Sequence, residues 1–452
     1  MTELHLHNTL SRKKQLFTPI NPEQIGIYAC GPTVYDKIHV GNARPLVVFD
    51  VLVRLLRHLY GAQHVCYVRN ITDVDDKINQ RAQERNITIA ELCEQTIHTF
   101  YQDAAALGVL TPDIEPRATH HIAEMIEMIT TLIDKGFAYA AEGHVLFSVE
   151  KMADYGTLSG RSVDEMIAGA RVEVAPFKQH PADFVLWKPS DKAMPGWDSP
   201  WGYGRPGWHI ECSAMSGKYL GAQFDIHAGG LDLIFPHHEN EIAQSCCAHN
   251  VDRMANIWVH NGYVTVEGEK MSKSLGNFTT VAEALAGHRG ETIRYCLLAT
   301  HYRAPLDFSQ QQLSEAKANL DKFYRAISHA DSTPHTEIDI SELLASLCDD
   351  LNIPGCFATL HKLAAQANKG DVMAAKQIVA VGRILGLFQD KNWLTQTDDD
   401  GISAEQIEIL IQQRNQARAD RDFATADSIR DQLAEKNIRL LDSAEGTKWE
   451  RA

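Results

Sequence analysis

A strand–turn–helix–strand pattern between residues 25 and 69 is the feature that most constrains the fold of this chain. The apolar run Ile25–Cys30 predicts a short buried strand, and Gly31-Pro32 ends it. Apolar residues at helical spacing then predict a helix over about 42–60, and His64–Arg69 predicts a second strand. Two strands joined through a helix form a βαβ unit, in which the strands run parallel and ligands bind beyond their carboxyl ends.

The rest of the chain predicts more α/β structure, followed by helices and a mixed tail. Strands predicted at Phe224–Ala228 and Ile257–Val266 flank a helix predicted at Pro236–His249. Residues from about 140 to 206 are rich in Gly, Pro and Trp and predict irregular structure. Helical spacing continues from about residue 310, and the polar run Thr395–Gly401 predicts a linker before two charged helices and a strand-like end.

The composition excludes several classes of protein. With 452 residues, 44% hydrophobic and 23% charged, the chain is typical of a globular protein of two to four domains. No apolar run approaches the roughly 20 residues of a membrane span, and the N-terminus lacks the pattern of a signal peptide, so we expect a cytoplasmic protein with no membrane partner. Nine irregularly spaced cysteines indicate metal ligation, catalysis or burial rather than disulfides. A net charge of −16 argues against indiscriminate nucleic-acid binding but allows a local basic strip.

Two short segments carry the groups that hold a polyphosphate. Lys270–Ser274 reads Lys-Met-Ser-Lys-Ser and can place two ammonium groups and hydroxyl donors around an anion. His39–Asn42 opens the first predicted helix, whose N-terminus offers free N–H groups, and Gly41 allows a nucleotide to approach the backbone. Taken alone, this second segment also fits a plain turn with Asn42 as the helix N-cap. Together the two segments predict a site for one triphosphate.

Cysteine, histidine and glutamate residues predict a metal site. Cys30 follows the first strand, Cys212 lies on a predicted helix, and His237 lies one helical turn before Glu241 on the same face. Two thiolates, an imidazole and a carboxylate make a tetrahedral Zn²⁺ site, although a single cysteine is more often a small buried apolar residue. Spacing does not choose between His237 and His238, because His238 lies three residues before Glu241.

Together these motifs resemble those of the cysteinyl-tRNA synthetases, a family of class I aminoacyl-tRNA synthetases. Lys270–Ser274 matches the KMSKS signature, and His39–Asn42 stands at the HIGH signature with Val and Asn at its second and fourth positions. Asn42 keeps a neutral hydrogen-bond donor there but, unlike histidine, cannot take up a proton and become positively charged. The resemblance covers nearly the whole chain and is also carried by Gly207–Ser213, His227–Asp232 and Phe235–Glu241.

The resemblance implies ATP-dependent activation of L-cysteine and its transfer to the 3′ adenosine of tRNA(Cys) by a monomer. It implies one Zn²⁺ per subunit, which binds the substrate thiolate and so separates cysteine from serine, and Mg²⁺ that accompanies ATP. The implied zinc ligands are Cys30, Cys212, His237 and Glu241. The implied catalytic residues are His39, Asn42, Lys270 and Lys273. The implied ATP-binding residues are Gly41, Gly230, Asp232 and Lys273, and the implied cysteine pocket contains Gly31, Thr72 and Trp208.

The resemblance also implies a division into domains. A Rossmann-like catalytic domain of the class I type would cover residues 1–310, with an insertion over about 115–205 and the KMSKS region over about 265–310. A helical bundle would follow over 311–392, and a linker with a small mixed α/β anticodon-binding module over 393–452. Two alternatives are a cysteine ligase acting on an amino sugar, whose relatives lack the tail at 311–452, and a non-catalytic paralogue, whose signatures would be degraded.

Two other features also fit ordinary structural roles. Asp73, Asp75 and Asp76 form a cluster that would suit a hard cation, but helix capping and salt bridging explain it better. Trp208 shares its Gly- and Pro-rich context with Trp197 and Trp201, so simple packing is a strong alternative to a role in the cysteine pocket.

Overall fold

The computed structural model describes residues 2–162, 165, 175–192, 194–270, 278–328, 338–395, 404–436, 438–443 and 446–451. An antiparallel hairpin of β1 (His5–Asn8) and β2 (Lys13–Leu16) precedes the central sheet. Of the two lysines predicted to bind phosphate, Lys270 is described only in its backbone, and Lys273 lies outside the described residues.

The predicted βαβ unit is confirmed in β3 (Ile25–Ala29), α1 (Val40–Tyr60) and β4 (Val65–Arg69). The two strands pair in parallel, and every residue of β3 is buried. The helix begins two residues earlier than predicted because its N-cap is His39. The alternative that Asn42 is the N-cap is therefore wrong.

The segment after β4 is helical and leads into a second sheet. The helices are α2 (Asp76–Arg85), α3 (Ile89–Ala106) and α4 (Ile122–Asp134). The prediction of irregular structure over about 140–206 is wrong, because an antiparallel four-stranded sheet forms there. Its strands are β5 (Ala138–Ala141), β6 (His144–Phe147), β7 (Phe184–Pro189) and β8 (Gly204–Pro206). Three of these strands have only three or four residues, so tertiary packing stabilises them more than local sequence does.

Residues 208–261 add two parallel strands to the central sheet. The elements are α5 (Trp208–Leu220), β9 (Phe224–Gly230), α6 (Glu239–His249) and β10 (Ala255–Asn261). The strand order is β10-β9-β3-β4, so the winding direction reverses between β3 and β9. The predicted helix at 236–249 starts only at Glu239, after a wide turn at Ile234–His238.

The predicted strand at Ile257–Val266 is wrong in one respect, because it consists of two strands. β10 ends at Asn261, and β11 (Val264–Val266) joins a separate small sheet with β12 (Glu269–Lys270) and β13 (Leu306–Phe308). The backbone N–H of Gly262 donates to the carbonyl oxygen of Tyr302 at 2.8 Å, and this contact lies at the break between the strands.

The helical region packs on α1 and shares its core. The helices are α7 (Val281–Gly287), α8 (Gly290–Leu298), α9 (Gln310–Ile327), α10 (Ser341–Leu347), α11 (Ile353–Ala367) and α12 (Val372–Leu385). One cluster of buried apolar residues runs from β3 and α1 to Phe323, Leu360 and Ile384. Asp50 on α1 and Arg294 on α8 form a buried ion pair at this junction.

The C-terminal module has its own small core. It contains α13 (Ala404–Ala419), α14 (Phe423–Glu435), β14 (Ile438–Ser443) and β15 (Gly446–Arg451). Its core includes Ile411, Leu433 and Trp449. Most of the predicted linker, residues 396–401, lies outside the described residues. Within the described part of the chain, no helix is long and apolar enough to cross a membrane.

Candidate active site

The predicted site residues collect at the carboxyl ends of the central strands. Cys30 follows β3 directly, Gly230 ends β9, and Thr72 comes three residues after β4. The Cys30 N–H donates to the carbonyl oxygen of Ala228 at 3.2 Å, which joins the two strands where the winding reverses. In open parallel sheets this position forms a crevice for ligands.

We define the metal cluster as Cys30, Cys212, His237 and Glu241. One ligand atom from each of the four residues lies within 4.8 Å of the others. The two sulfur atoms are 3.8 Å apart, Cys30 Sγ lies 3.6 Å from Glu241 Oε1, and His237 Nε2 lies 3.0 Å from the same oxygen. The structure therefore brings together all four predicted zinc ligands.

A second set of ligand atoms overlaps the metal cluster. Cys30, His227, His238 and Glu241 also offer atoms within 4.8 Å of one another. His238 Nε2 lies 3.3 Å from Cys30 Sγ, and His227 Nε2 lies 2.9 Å from Glu241 Oε2. The geometry thus defines a site that could bind a metal ion and leaves two sets of ligands for it.

Further histidines hydrogen bond to these side chains. His209 Nδ1 lies 3.0 Å from His237 Nδ1, and His238 Nδ1 lies 2.8 Å from His260 Nε2. The sequence alone does not assign a role to His209, His227 or His260, although the first two lie within the motifs Gly207–Ser213 and His227–Asp232, and His260 lies in a predicted strand. Such partners orient the imidazoles that bind a metal.

The charges of the metal cluster favour a cation. Burial opposes ionisation of Glu241, but His227 and His237 outweigh it and lower the pKa of Glu241 to about 2. A hydrogen bond from Cys30 lowers the pKa of Cys212 to about 6 against the effect of burial, whereas burial raises the pKa of Cys30. A buried carboxylate beside an acidic thiol is a donor set that a divalent cation would neutralise.

The predicted cysteine-pocket residues lie beside this cluster. Trp208 stacks on the His237 ring at a centroid distance of 4.2 Å and is 38% exposed, so it is not a simple core residue. Thr72 is buried and donates from Oγ1 to Glu211 Oε2 at 3.0 Å, and it accepts from Asn70 Nδ2 at 3.2 Å. The Asn70 side chain in turn accepts from the Gly31 N–H at 2.9 Å. Any side chain at Gly31 would collide with the carbonyl oxygen of Asn70.

We define the phosphate site as the predicted phosphate and ATP residues His39, Gly41, Asn42, Gly230, Asp232, Lys270 and Lys273. At the start of α1, His39 Nδ1 accepts from the Asn42 N–H at 3.3 Å, and Asn42 Oδ1 accepts from the His39 N–H at 3.4 Å. This capping box satisfies backbone groups of the helix end. Gly230 and Asp232 lie together at the carboxyl end of β9, since a Cβ on Gly230 would collide with the Asp232 carboxylate.

The segment that follows the Lys270–Ser274 loop is bound to the start of α1. His39 and Thr280 form an antiparallel bridge, and the Val40 N–H donates to the Thr279 carbonyl oxygen at 3.0 Å. The His39 ring also contacts the Phe278 ring, with centroids 4.8 Å apart. The start of α1 therefore contacts residues 278–280, which follow the predicted phosphate-binding segment in the sequence, while residues 271–277 lie outside the described residues.

The three aspartates at 73, 75 and 76 have structural roles. Asp75 is the N-cap of α2, and Asp73 accepts from the N–H and hydroxyl of Thr119 at 2.9 and 2.7 Å. Asp76 pairs with Arg205 at 2.8 Å and with Lys188. The interpretation is confirmed for Asp75 as a helix cap and for Asp76 as a salt-bridge partner, whereas Asp73 hydrogen bonds to Thr119 instead.

Comparisons with known proteins identify the family. A family described as tRNA synthetases class I (C) catalytic domain matches residues 16–318. The cysteine–tRNA ligase of Rhodospirillum rubrum is 55% identical over 460 residues and covers 99% of this chain and 100% of its own. The cysteine–tRNA ligase of Paramagnetospirillum magneticum is 56% identical over 459 residues and covers 99% of each chain.

Solved structures share the fold at low sequence identity. Mycobacterium tuberculosis methionyl-tRNA synthetase in complex with methionyl-adenylate is 16% identical, has a TM-score of 0.54, and is matched over 80% of this chain and 82% of its own. A putative arginyl-tRNA synthetase from Campylobacter jejuni is 13% identical, has a TM-score of 0.52, and is matched over 85% and 94%.

The parallel sheet, its ligand crevice and the matching catalytic domain define a class I aminoacyl-tRNA synthetase. Full-length relatives with more than half of their residues identical are cysteine–tRNA ligases. The chain belongs to this family.

Proposed function

We propose that the chain activates L-cysteine with ATP and transfers it to the 3′ adenosine of tRNA(Cys), as a cytoplasmic monomer. One observation carries this proposal: a cluster of two cysteines, a histidine and a glutamate lies at the crevice of the sheet, where the strand before α1 also leads to the predicted phosphate site. A site rich in thiolate ligands beside a nucleotide site suits a substrate that itself carries a thiol.

The metal cluster would hold one Zn²⁺ per subunit. Two thiolates with nitrogen and oxygen ligands match the preference of zinc for soft and borderline donors. We favour His237 over His238 because its set contains both cysteines, and because the pKa of Cys212 is already lowered to about 6. Bound zinc would supply a position for the substrate thiolate that a serine hydroxyl does not occupy comparably.

The pocket beside the metal cluster would position the amino acid. Thr72 is held on both sides by hydrogen bonds, and Trp208 is held by its stack on His237. Gly31 leaves room where any side chain would collide with backbone. These three residues would therefore present a rigid wall to cysteine, which reduces the entropy lost on binding.

The phosphate site would stabilise the attack of the cysteine carboxylate on the α-phosphate of ATP and the departure of pyrophosphate. His39 and Asn42 would donate hydrogen bonds to the reacting phosphate, and Lys270 and Lys273 would neutralise the pyrophosphate. Gly41 would allow close approach to the N-terminus of α1. Gly230 and Asp232 would bind the ribose, and Mg²⁺ would accompany ATP.

The helical tail argues against a ligase that joins cysteine to an amino sugar. The cysteine–tRNA ligases matched above cover 99% of this chain, including the bundle and the C-terminal module. We propose domain boundaries near residues 310 and 392, with the last module reading the anticodon. The separate apolar core of that module supports the second boundary.

An ATP–pyrophosphate exchange assay tests the proposed activity. We expect exchange with cysteine, and exchange with serine reduced by more than the roughly 100-fold that size alone provides. Removal of zinc with a chelator should abolish the preference, and zinc should restore it. The protein should then charge a tRNA(Cys) transcript. Exchange without charging would favour the amino-sugar ligase, and no exchange with any amino acid would refute the proposal.

A further inference from the structure

Arg44 is a buried arginine that connects α1 to two distant segments. It is the fifth residue of the helix and is fully buried. Its Nη1 donates to the carbonyl oxygens of Gly262 and Tyr263, each at 2.9 Å. Its Nη2 donates to Thr300 Oγ1 and to the carbonyl oxygen of His301, each at 3.2 Å. Burial lowers the pKa of Arg44 to about 10, so the guanidinium stays charged at neutral pH.

The first segment leads to the predicted phosphate-binding loop. Gly262 and Tyr263 connect β10 to β11, and Thr265 on β11 pairs with Lys270 on β12. Lys270 is the first residue of the predicted phosphate-binding segment Lys270–Ser274. Arg44 therefore binds the chain shortly before the loop, while His39 and Val40 bind Thr279 and Thr280 shortly after it.

The second segment contacted by Arg44, residues 300–304, packs tightly against the first, Gly262 and Tyr263. A Cβ on Gly262 would lie 2.7 Å from the carbonyl oxygen of Arg303 and 2.6 Å from that of Ala304. On its other side the second segment contacts the junction with the helical bundle, where Tyr302 Oη donates to Asp350 Oδ1 at 2.7 Å. Asp350 and Leu351 both have left-handed backbone, with φ of 58° and 50°. Backbone of this kind persists only where surrounding contacts hold it in place.

We propose that Arg44 is a positioning residue for ATP, which fixes the start of α1 relative to β11 and β12, the strands that lead to Lys270. The inference rests on the proposed function, because it takes these two segments to be the halves of one triphosphate site. Each half must be placed within a fraction of an ångström for efficient transfer, and a misplacement of about 1 Å reduces the rate by up to ~100-fold. Arg44 acts through backbone groups and does not itself touch the substrate.

The geometry of the guanidinium explains why arginine is required. Its planar fork reaches acceptors on two segments at once, whereas the ammonium of lysine donates from a single point. Arg44→Lys keeps the charge and loses this bridge. We expect it to lower kcat of cysteine-dependent ATP–pyrophosphate exchange by about 10- to 100-fold. The KM for cysteine and the zinc content should not change, because the metal cluster lies on other elements.

Arg294 provides a matched control. It is equally buried and donates to the carbonyl oxygens of Leu385 and Leu107 at 2.8 and 3.1 Å, besides its ion pair with Asp50. It joins α8 to α1 and to the end of α12, so Arg294→Lys should lower the melting temperature and leave kcat unchanged. Both variants are assayed well below their melting temperatures.

Hydrogen–deuterium exchange supplies a readout independent of activity. We expect Arg44→Lys to raise exchange in the peptide covering residues 262–270, and Arg294→Lys to leave that peptide unchanged. Wild-type kcat in Arg44→Lys, or equal losses of kcat in both variants, would overturn the proposal. Wild-type protein without cysteine-dependent exchange would instead refute the proposed function, and the deuterium result would still test the role of Arg44 in holding the two segments.

Discussion

The metal cluster and the described residues of the phosphate site lie at the same edge of one sheet, but they differ in exposure and in hydrogen bonding. Cys212, His237 and Glu241 are at most 1% exposed, whereas Asn42 and Asp232 face solvent. The cluster atoms are already within ligand range of one another, while the donors at the start of α1 bind each other in a capping box. Under the proposed function, cysteine would be selected within the protein core, whereas ATP would replace water and existing hydrogen bonds at the surface.

The largest expected effect comes from removing a metal ligand. Cys212 belongs only to the set with both cysteines, and His238 belongs only to the overlapping set. We expect Cys212→Ala to lose zinc and to reduce kcat/KM for cysteine by at least about 1,000-fold, because a thiolate ligand and its charge are lost from a buried site. Zinc content by mass spectrometry and ATP–pyrophosphate exchange measure both effects.

Two variants serve as controls for the metal cluster. Cys246 is also buried, lies on α6 near Glu241 and belongs to neither set, so Cys246→Ala should keep its zinc. His238→Gln should keep zinc as well, with weaker affinity because it is close to the ligands. Loss of zinc in His238→Gln together with its retention in Cys212→Ala would show that the other set binds the metal.

A smaller effect is expected at the phosphate site, where stability and activity should separate. Asparagine is a good N-cap, so His39→Asn should change the free energy of unfolding by less than about 0.5 kcal/mol. It lacks the imidazole that we assign to the reacting phosphate, so kcat should fall by about 100-fold. Urea unfolding and exchange kinetics measure the two quantities.

Thr88 provides the control for this test, because its substitution should reduce stability and leave activity unchanged. Thr88 is the N-cap of α3 and forms a capping box with Glu91, as His39 does with Asn42. Thr88→Ala should reduce stability by about 1 kcal/mol and leave kcat unchanged. If His39→Asn lost stability in proportion to activity, the role of His39 would be structural.

The sequence predicts some elements of the fold better than others. The βαβ unit could be predicted because the apolar run Ile25–Cys30 and the turn at Gly31-Pro32 are local signals. The division of the strand at Gly262 could not, because the apolar pattern continues past it and the deciding contact is with Tyr302, 40 residues away. The antiparallel sheet over 138–206 is not predictable from local sequence for the same reason, since β6 and β7 pair across a long separation.

The candidate metal ligands could be predicted from residue types and spacing. The histidines that surround them could be identified only from the fold. His227 and His260 lie on neighbouring strands and reach Glu241 and His238 from there. A buried histidine on a strand has no pattern that distinguishes it from an ordinary core residue. Likewise, nothing local to Arg44 indicates that its partners lie more than 200 residues away.

The smallest expected effect compares two buried carboxylates. Glu241 has histidine partners and a pKa lowered to about 2, whereas Asp103 on α3 is buried and its Oδ2 has no hydrogen-bond partner among the described residues. Burial raises the pKa of Asp103 to about 6, against a smaller opposing effect of Lys37. Because the unfolded chain releases this proton near pH 4, the folded state becomes relatively less stable as the pH rises from about 4 to 6.

Asp103→Asn should remove this penalty and reveal its pH dependence. Above pH 6 we expect the variant to be more stable than the wild type by about 1 kcal/mol, a value discounted for screening by water and salt. The difference should shrink as the pH falls toward 4, where Asp103 is protonated in both states. Urea unfolding of the two proteins from pH 4.5 to 8 measures it, and all other titrations cancel in the comparison. A difference that stays constant with pH would show that the pKa of Asp103 is not raised in the folded state. Burial without a hydrogen-bond partner would then not distinguish the pKa of Asp103 from that of Glu241.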